Sequence, residues 1–323
     1  MERTGIGFNP NITPQEADEY AREAEINGYD SFWVHEQPFI RDAITLLCSG
    51  ILATNEIRFG SGCISAVTRH PLLAATTFVS LNNMSHGRAI MGIGLGGFPW
   101  LPKIGIDVFP VTQTHPARRI REYLTIVKAL LNGENITLRG EFYNVNDIKL
   151  DAKPAAKPKL YVAAFGTRLL KIATEFADGV IISPALMTPE ITRQKVESLK
   201  SKDLDIASYI LTTVAKDSAE ARQIMKSYYF LIYQVAEVIS PEVLKPYDVN
   251  ESALDEVKRA WRKNDLPAAA RAMPDEIIEA LTLTGNPDHC LDKLREYRNA
   301  GVKLPIIMPI GDVKSSIGAF VQS

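Results

Sequence analysis

The chain alternates two hydrophobic rhythms from end to end. Short runs rich in β-branched and aromatic residues, bounded by Gly, Pro, Asn, Asp or Ser, read as buried strands: TGIGFN (4–9), SFWVH (31–35), IRFGSG (57–62), RAIMG (88–92), KLYVA (159–163), GVIIS (179–183), SYILTTV (208–214) and LPIIMP (304–309). Between them, apolar positions return every three to four residues, the period of a helix with one face on a core. The first such stretch, TPQEADEYAREAEING, carries its own punctuation, with Thr13 as N-cap, Pro14 at the first helical position and Gly28 as the stop. DAITLLCSGILA, HPLLAATTFVSLNNMS, HPARRIREYLTIVKALL, TRLLKIATEFA and TPEITRQKVESLK follow the same period. Strand–helix alternation requires a parallel sheet with helices laid on it, and the eight repeats favour closure into a (β/α)8 barrel over an open doubly wound sheet.

Two stretches interrupt the alternation within what reads as one barrel domain over 1–323. Residues 132–158 contain ENITLRGEFYNVNDIKL (134–150), a β-hairpin pattern turning at Arg139-Gly140-Glu141, and then the Pro-punctuated DAKPAAKPK. Residues 218–283 are mostly helical and fall between the seventh and eighth strands, where an insertion commonly covers a barrel's active site.

Charge narrows the partner. With 36 Lys+Arg against 38 Asp+Glu and no block of like charge, nothing suggests a nucleic-acid or anionic-membrane surface, and a small-molecule substrate is expected. No apolar run approaches the roughly 18 residues of a membrane span. The opening MERTGIGF lacks a charged-then-apolar signal pattern, so a cytoplasmic location is expected. Cys48, Cys63 and Cys290 lie far apart, which argues for reduced thiols, and no spacing of His or Cys suits a metal. His70, His86 and His115 stand at helix boundaries, where capping or packing is expected, and His289 reads as surface.

In a barrel, chemistry gathers at the C-terminal ends of the strands. Those ends are Phe8-Asn9, His35-Glu36-Gln37, Gly62-Cys63-Ile64, the glycine run, Ala164-Phe165-Gly166, Ser183 and Pro309-Ile310-Gly311. Gly92, Gly94, Gly96 and Gly97 are not a dinucleotide fingerprint, because Pro99 and Pro102 follow and the next helical pattern starts near His115. They make either a tight loop or one that lets a flat ring approach the backbone. The backbone N–H groups around Phe165 and Gly166 open a helix and suit an anion, unless Gly166 only permits a turn and Thr167 caps it. Glu36 beside His35 is a candidate proton carrier if burial tunes it, and a solvated rim pair otherwise. Phe98, Trp100 and Phe109 could line a pocket or simply pack, and no base stands beside Cys63 in sequence.

SFWVHEQP, FGSGCISAVTRHP, LNNMSHGRAIMGIGLGG, LRGEFYNV, KLYVAAFGTRLLKIATEFADGVIIS and LTGNPDHCLDKLREYRNAGVKLPIIMPIGD occur in that order and span nearly the whole chain. Together they resemble the bacterial-luciferase-like family, in its branch that uses the deazaflavin coenzyme F-420, nearest to the methylenetetrahydromethanopterin reductases. The resemblance implies a TIM barrel, coenzyme F-420 (8-hydroxy-5-deazaflavin) with FMN as the alternative, and a homodimer or higher homo-oligomer. It puts the coenzyme phosphate at Ala163, Ala164, Phe165, Gly166 and Thr167. The ring would lie against Gly62, Cys63 and Ile64, with a cis peptide at Gly62–Cys63, and against Gly94, Leu95 and Gly96. Glu36 and His35 would attend the ring and move protons, and substrate would lie over Gly7, Gln37, Gly97, Phe98 and Trp100.

Three departures from the family pattern bear on the reaction. Gly7 stands where the methylenetetrahydromethanopterin reductases carry a strand-one glutamate proposed to assist the pterin. Gly97 stands where other members of the branch carry an acid, and Gln37 where a histidine is frequent. Losing a general acid typically costs about 10²–10⁴ in rate. The resemblance therefore implies hydride transfer between carbon 5 of the coenzyme and an organic substrate other than a methylene-pterin handled by the usual route. The alternatives are an FMN-dependent monooxygenase of the same family and a non-catalytic flavin-binding protein. A phosphosugar barrel enzyme is disfavoured, since apart from Glu36 no Lys or Glu stands clearly at the end of a central strand.

Overall fold

A computed structural model describes residues 2–96, 101–106, 115–152, 156–182, 186–199 and 203–321. Its strands, in chain order, are β1 (Gly5–Phe8), β2 (Ser31–Val34), β3 (Arg58–Ser61), β4 (Ile64–Ser65), β5 (Ala89–Gly94), β6 (Ile136–Arg139), β7 (Asn144–Ile148), β8 (Lys159–Ala163), β9 (Gly179–Ile181), β10 (Asp205–Val214), β11 (Leu283–Gly285) and β12 (Leu304–Pro309). Parallel pairing runs from β1 through β2, β3, β5, β8, β9, β10 and β12 back to β1, a closed barrel whose members are the eight strands expected from sequence. Two short strands, β4 on β5 and β11 on β10, extend the sheet and lack a sequence signal of their own.

The first helix, Pro14–Ile26, starts as its sequence dictates: Thr13 accepts the Glu16 N–H at 3.2 Å, and the Glu16 carboxylate takes the Thr13 N–H at 2.7 Å. The antiparallel pair β6–β7 turns through Gly140 and is clasped by Glu122 of the helix Pro116–Leu131, which accepts the N–H groups of Glu141, Phe142 and Tyr143 at 2.9–3.3 Å. Six helices between Ser218 and Leu281, with the π-helical segment Gln234–Val238 among them, pack their apolar faces on one another and on Leu211 and Met308 near the ends of β10 and β12. Asn9, just past β1, donates to the Tyr228 hydroxyl of this layer at 2.8 Å. No helix among the described residues is long and apolar enough to cross a membrane.

Two cores flank the barrel wall. Outside it, Ile6, Phe8, Phe32, Val34 and Phe59 pack against helical Ala17, Ala21, Leu46, Leu47 and Ile51. Inside it, Trp33, Tyr161 and Tyr209 dominate a smaller cluster with Ile90, Ile181, Leu304 and Ile306. These rings occupy the space of missing side chains. A Cβ added at Gly60 would meet the Trp33 indole, one at Gly179 the Tyr161 ring at 2.6 Å, and one at Gly7 the Tyr209 ring at 2.5 Å. At the base of the barrel the polar tips are satisfied: Trp33 Nε1 donates to Ser31 at 2.8 Å, and Tyr161 donates to Asp205, which pairs with Arg3 at 2.6 Å.

Candidate active site

At the opposite end, the mouth, a short network ties β2, β4 and β5. Glu36 Oε2 accepts the Ser65 N–H at 2.7 Å, Glu36 Oε1 takes Arg69 Nε, and the Ser65 hydroxyl donates to the Leu95 carbonyl at 2.9 Å. Arg69 also reaches Asp42 at 2.5 Å. Glu36 is thus neither a solvated rim residue nor a free acid. Both its oxygens are engaged and its side chain is 10% exposed. This revises the expectation drawn from its sequence position: Glu36 holds the Ile64–Ser65 segment in place.

His35 stands beside it with a different environment. The residue is half-buried, its Nε2 is fully covered and has no hydrogen-bond partner, and burial lowers its pKa to about 4, so the imidazole is neutral near pH 7. Its ring packs on Tyr209 at 4.3 Å between centroids. Tyr209 is 7% exposed and its Oη likewise has no partner. Burial first, and the neighbouring Cys63 second, raise the phenol well above its ordinary value. The ring lies over Gly7, and its Oη sits where a side chain at Gly62 would be. A strand-one side chain at position 7 is therefore excluded while Tyr209 stays in place.

The Gly62–Cys63 peptide is cis, as the resemblance implied. Burial, with Glu36 as the second cause, pushes the Cys63 thiol up to about 12, which leaves a protonated thiol and no nucleophile. Cys63 Sγ occupies the space a Gly94 side chain would need, and the Ser61 carbonyl does the same for Gly92. Here the strand expected to end at Gly92 runs on to Gly94. Gly92 and Gly94 belong to β5 and admit neighbouring protein atoms, and the room at Gly94 is taken by Cys63 instead of being open to a flat ring. Leu95 and Gly96, half-buried, begin the loop, with Gly96 at φ +98°. Gly97, Phe98, Trp100 and Phe109 lie outside the described residues, as does Ser183. Gln37 pairs by its backbone with Arg41 across a small loop that exposes Phe39.

Across the mouth, β8 ends at Ala163, Ala164 is buried, and Phe165, Gly166 and Thr167 are exposed at the start of the helix Thr167–Phe176. Gly166, not Thr167, is the N-cap, and no side chain caps it. Its φ of −84° makes no demand for glycine and a Cβ there would meet nothing within 4 Å, so the residue leaves open space above the helix N-terminus. The Phe165 ring is 42% exposed, with the Lys195 ammonium 4.7 Å from its centroid. Alongside runs a groove of about 360 Å³ lined by Ala117, Arg118, Arg121, Arg168, Lys171 and Ile172. Arg118 and Arg121 are engaged by Glu141 and Glu175. An uncapped helix start beside this positive groove is a natural place for a phosphate.

Sequence reasoning missed Tyr209, Arg69 as the partner of Glu36, and the cationic groove. The glycines at 7 and 62, inside or just after strands, were the available signal for Tyr209, since an isolated strand glycine marks a close approach.

A model of the luciferase-like monooxygenase family matches residues 2–304. The chain belongs to that family. Within it, the chain is 30% identical over 326 residues to the 5,10-methylenetetrahydromethanopterin reductase of Archaeoglobus fulgidus, covering 97% of this chain and 96% of that protein. It is 26% identical to the F420-dependent glucose-6-phosphate dehydrogenase of Kineococcus radiotolerans, over 84% of this chain and 76% of that one. The solved coenzyme F420 dependent tetrahydromethanopterin reductase of Methanopyrus kandleri superposes with a TM-score of 0.89 at 24% identity, over 99% of this chain and 97% of that one, a likeness of fold. This luciferase-like barrel thus has relatives named for two different substrates.

Proposed function

We propose that this luciferase-like protein is a coenzyme F-420-dependent oxidoreductase that moves a hydride between the deazaflavin and an organic substrate, a relative of the methylenetetrahydromethanopterin reductases with a different substrate. The observation that carries the reading is the end-to-end match, at 30% identity, to a methylenetetrahydromethanopterin reductase. The mouth suits such a coenzyme: the open, uncapped turn at Gly166 fits a phosphate. When bound, the coenzyme supplies the redox carbon. The chain supplies the rest. Gly166 and Thr167 offer backbone N–H groups to the phosphate, Arg168 and Lys171 add positive charge beside it, and Gly62, Cys63 and Ile64 form a wall that Glu36 and Arg69 brace through Ser65. With position 7 closed by Tyr209, no strand-one carboxylate assists the substrate. The protein is proposed to act in the cytoplasm as a homodimer, and light scattering at the monomer mass across micromolar concentrations would remove the dimer.

The test is to denature the purified protein, record absorption and fluorescence of any released chromophore, and titrate the refilled or empty protein with both coenzymes. Binding of coenzyme F-420 in the micromolar range or tighter, with weak or no binding of FMN, is expected. Tight FMN with coenzyme F-420 ignored would overturn the reading in favour of an oxygen-using monooxygenase. Binding of a coenzyme that no substrate ever oxidises or reduces would point to a flavin-binding protein.

A further inference from the structure

The groove beside the Gly166 turn gathers positive charge from two helices. Arg118 and Arg121 come from Pro116–Leu131, and Arg168 and Lys171 from Thr167–Phe176, the two of each pair three residues apart and so on one helix face. Arg118 reaches Glu141 at 2.7 Å and Arg121 reaches Glu175 at 2.6 Å. Glu141 is itself shared with His115, whose Nδ1 lies 2.8 Å away. Arg168 and Lys171 have no ion-pair partner among the described residues. All four cations are exposed, and ion pairs open to solvent are worth little, so Arg118 and Arg121 can turn to an incoming anion at small cost.

The groove of about 360 Å³ starts where the turn ends. A helix rises 1.5 Å per residue, so Arg168 stands about 3 Å and Lys171 about 7.5 Å along the axis beyond Gly166. A phosphate held by the Gly166 and Thr167 N–H groups uses the helix end, and four cations spread over two helices provide for more negative charge than that one group carries. We propose that the groove between these two helices is a second anion subsite, which takes carboxylate or phosphoryl groups carried beyond the coenzyme phosphate on the same molecule. The subsite rests on the oxidoreductase reading above and deepens it, because coenzyme F-420 carries carboxylates on a chain beyond its phosphate whereas FMN ends there. The groove therefore adds affinity for the deazaflavin and none for FMN.

Fluorescence titration with coenzyme F-420 and with the same deazaflavin cut off after its phosphate separates the two subsites. Wild type is expected to bind the intact coenzyme about tenfold more tightly than the shortened one, the worth of two exposed ion pairs, and to lose that margin as salt is raised. Arg168→Gln/Lys171→Gln should bind both forms alike. Arg295→Gln/Lys314→Gln, which removes the same charge from exposed positions on other helices, should keep the margin. Equal binding of the two forms by wild type, a margin that survives in the groove variant, or one lost equally in the control overturns the proposal. A second titration needs no coenzyme: inorganic phosphate and tripolyphosphate are followed by the amide NMR signals of Gly166, Thr167, Arg168 and Lys171. Tripolyphosphate should shift all four and bind about tenfold more tightly than phosphate, with the gain lost in the groove variant. Phosphate held in the groove as tightly as tripolyphosphate would mark a site for a free ion and overturn the link to the turn. Failure of both coenzyme forms to bind sinks the oxidoreductase reading, and tripolyphosphate then decides the groove by itself.

Discussion

Inside the barrel, three large rings, Trp33, Tyr161 and Tyr209, fill the space left by five glycines, Gly5, Gly7, Gly60, Gly62 and Gly179. Outside it, aliphatic side chains from strands and helices share burial in many small contacts around the whole wall. Both regions are buried, yet they respond differently to change. In the annulus a lost methyl group has several neighbours that can close in, so the cost stays near the transfer term. In the interior each ring has fixed counterparts, glycine backbone on a closed sheet, and neither side can move without opening the barrel. The interior also differs along its own axis: the polar tips of Trp33 and Tyr161 are paired at the base, whereas Tyr209 Oη and His35 Nε2 are buried without a partner toward the mouth.

The largest expected effect tests the first half of that contrast. Trp33→Ala should cost about 3–5 kcal/mol in denaturant unfolding, while Ile51→Val in the annulus, where Ile51 is 2% exposed, should cost about 0.5–1.5 kcal/mol. Equal costs for the two would break the distinction.

A smaller effect comes from adding atoms. Gly7→Ala places a methyl 2.5 Å from Tyr209 Cε1 and should cost about 1–3 kcal/mol by overpacking. Combined with Tyr209→Ala, the two costs should fail to add by about 0.5–3 kcal/mol, since the second change removes what the first collides with. The same collision bears on the missing acid. Gly7→Glu alone should misfold or bind poorly, so the carboxylate has to be restored together with Tyr209→Gly. Turnover of methylenetetrahydromethanopterin is expected only in that double variant, and robust wild-type turnover would show that the vacancy at position 7 does not define the substrate.

How much of this could be read beforehand follows from where each signal lives. The eight barrel strands and the capped first helix are written locally, in apolar runs, Thr13, Pro14 and Gly28, and the structure keeps them. Gly94 was legible as important but not as strand, because a glycine gives the same local signal in a loop and in a strand that admits a neighbour. Tyr209 sits in SYILTTV, where both faces of a parallel strand are buried, so alternation does not say which residue points inward. Glu36 looked like a free acid because its partner, Arg69, is 33 residues away. The pairing exists only once β2 and the segment after β3 are side by side.

The smallest effect concerns the mouth alone and is read from pH. His35 has a folded pKa of about 4, below the 6.5 of the unfolded chain, with burial as the cause. The folded state thus disfavours the proton, and its advantage is complete above pH 6.5 and is lost as pH falls toward 4. Between pH 7 and pH 5 the loss should be roughly 2 kcal/mol, measured as the difference between wild type and His35→Gln in urea unfolding at each pH. His35→Gln removes the titrating ring and leaves other acid-sensitive groups in place, so subtracting it isolates the histidine. The difference should shrink in Tyr209→Ala, where loss of the covering ring lets water reach Nε2 and the folded pKa returns toward the unfolded one. A pH dependence identical in wild type and His35→Gln would mean that His35 is solvated, and that the contrast between the paired tips of Trp33 and Tyr161 at the base and the buried, partnerless ones toward the mouth does not hold.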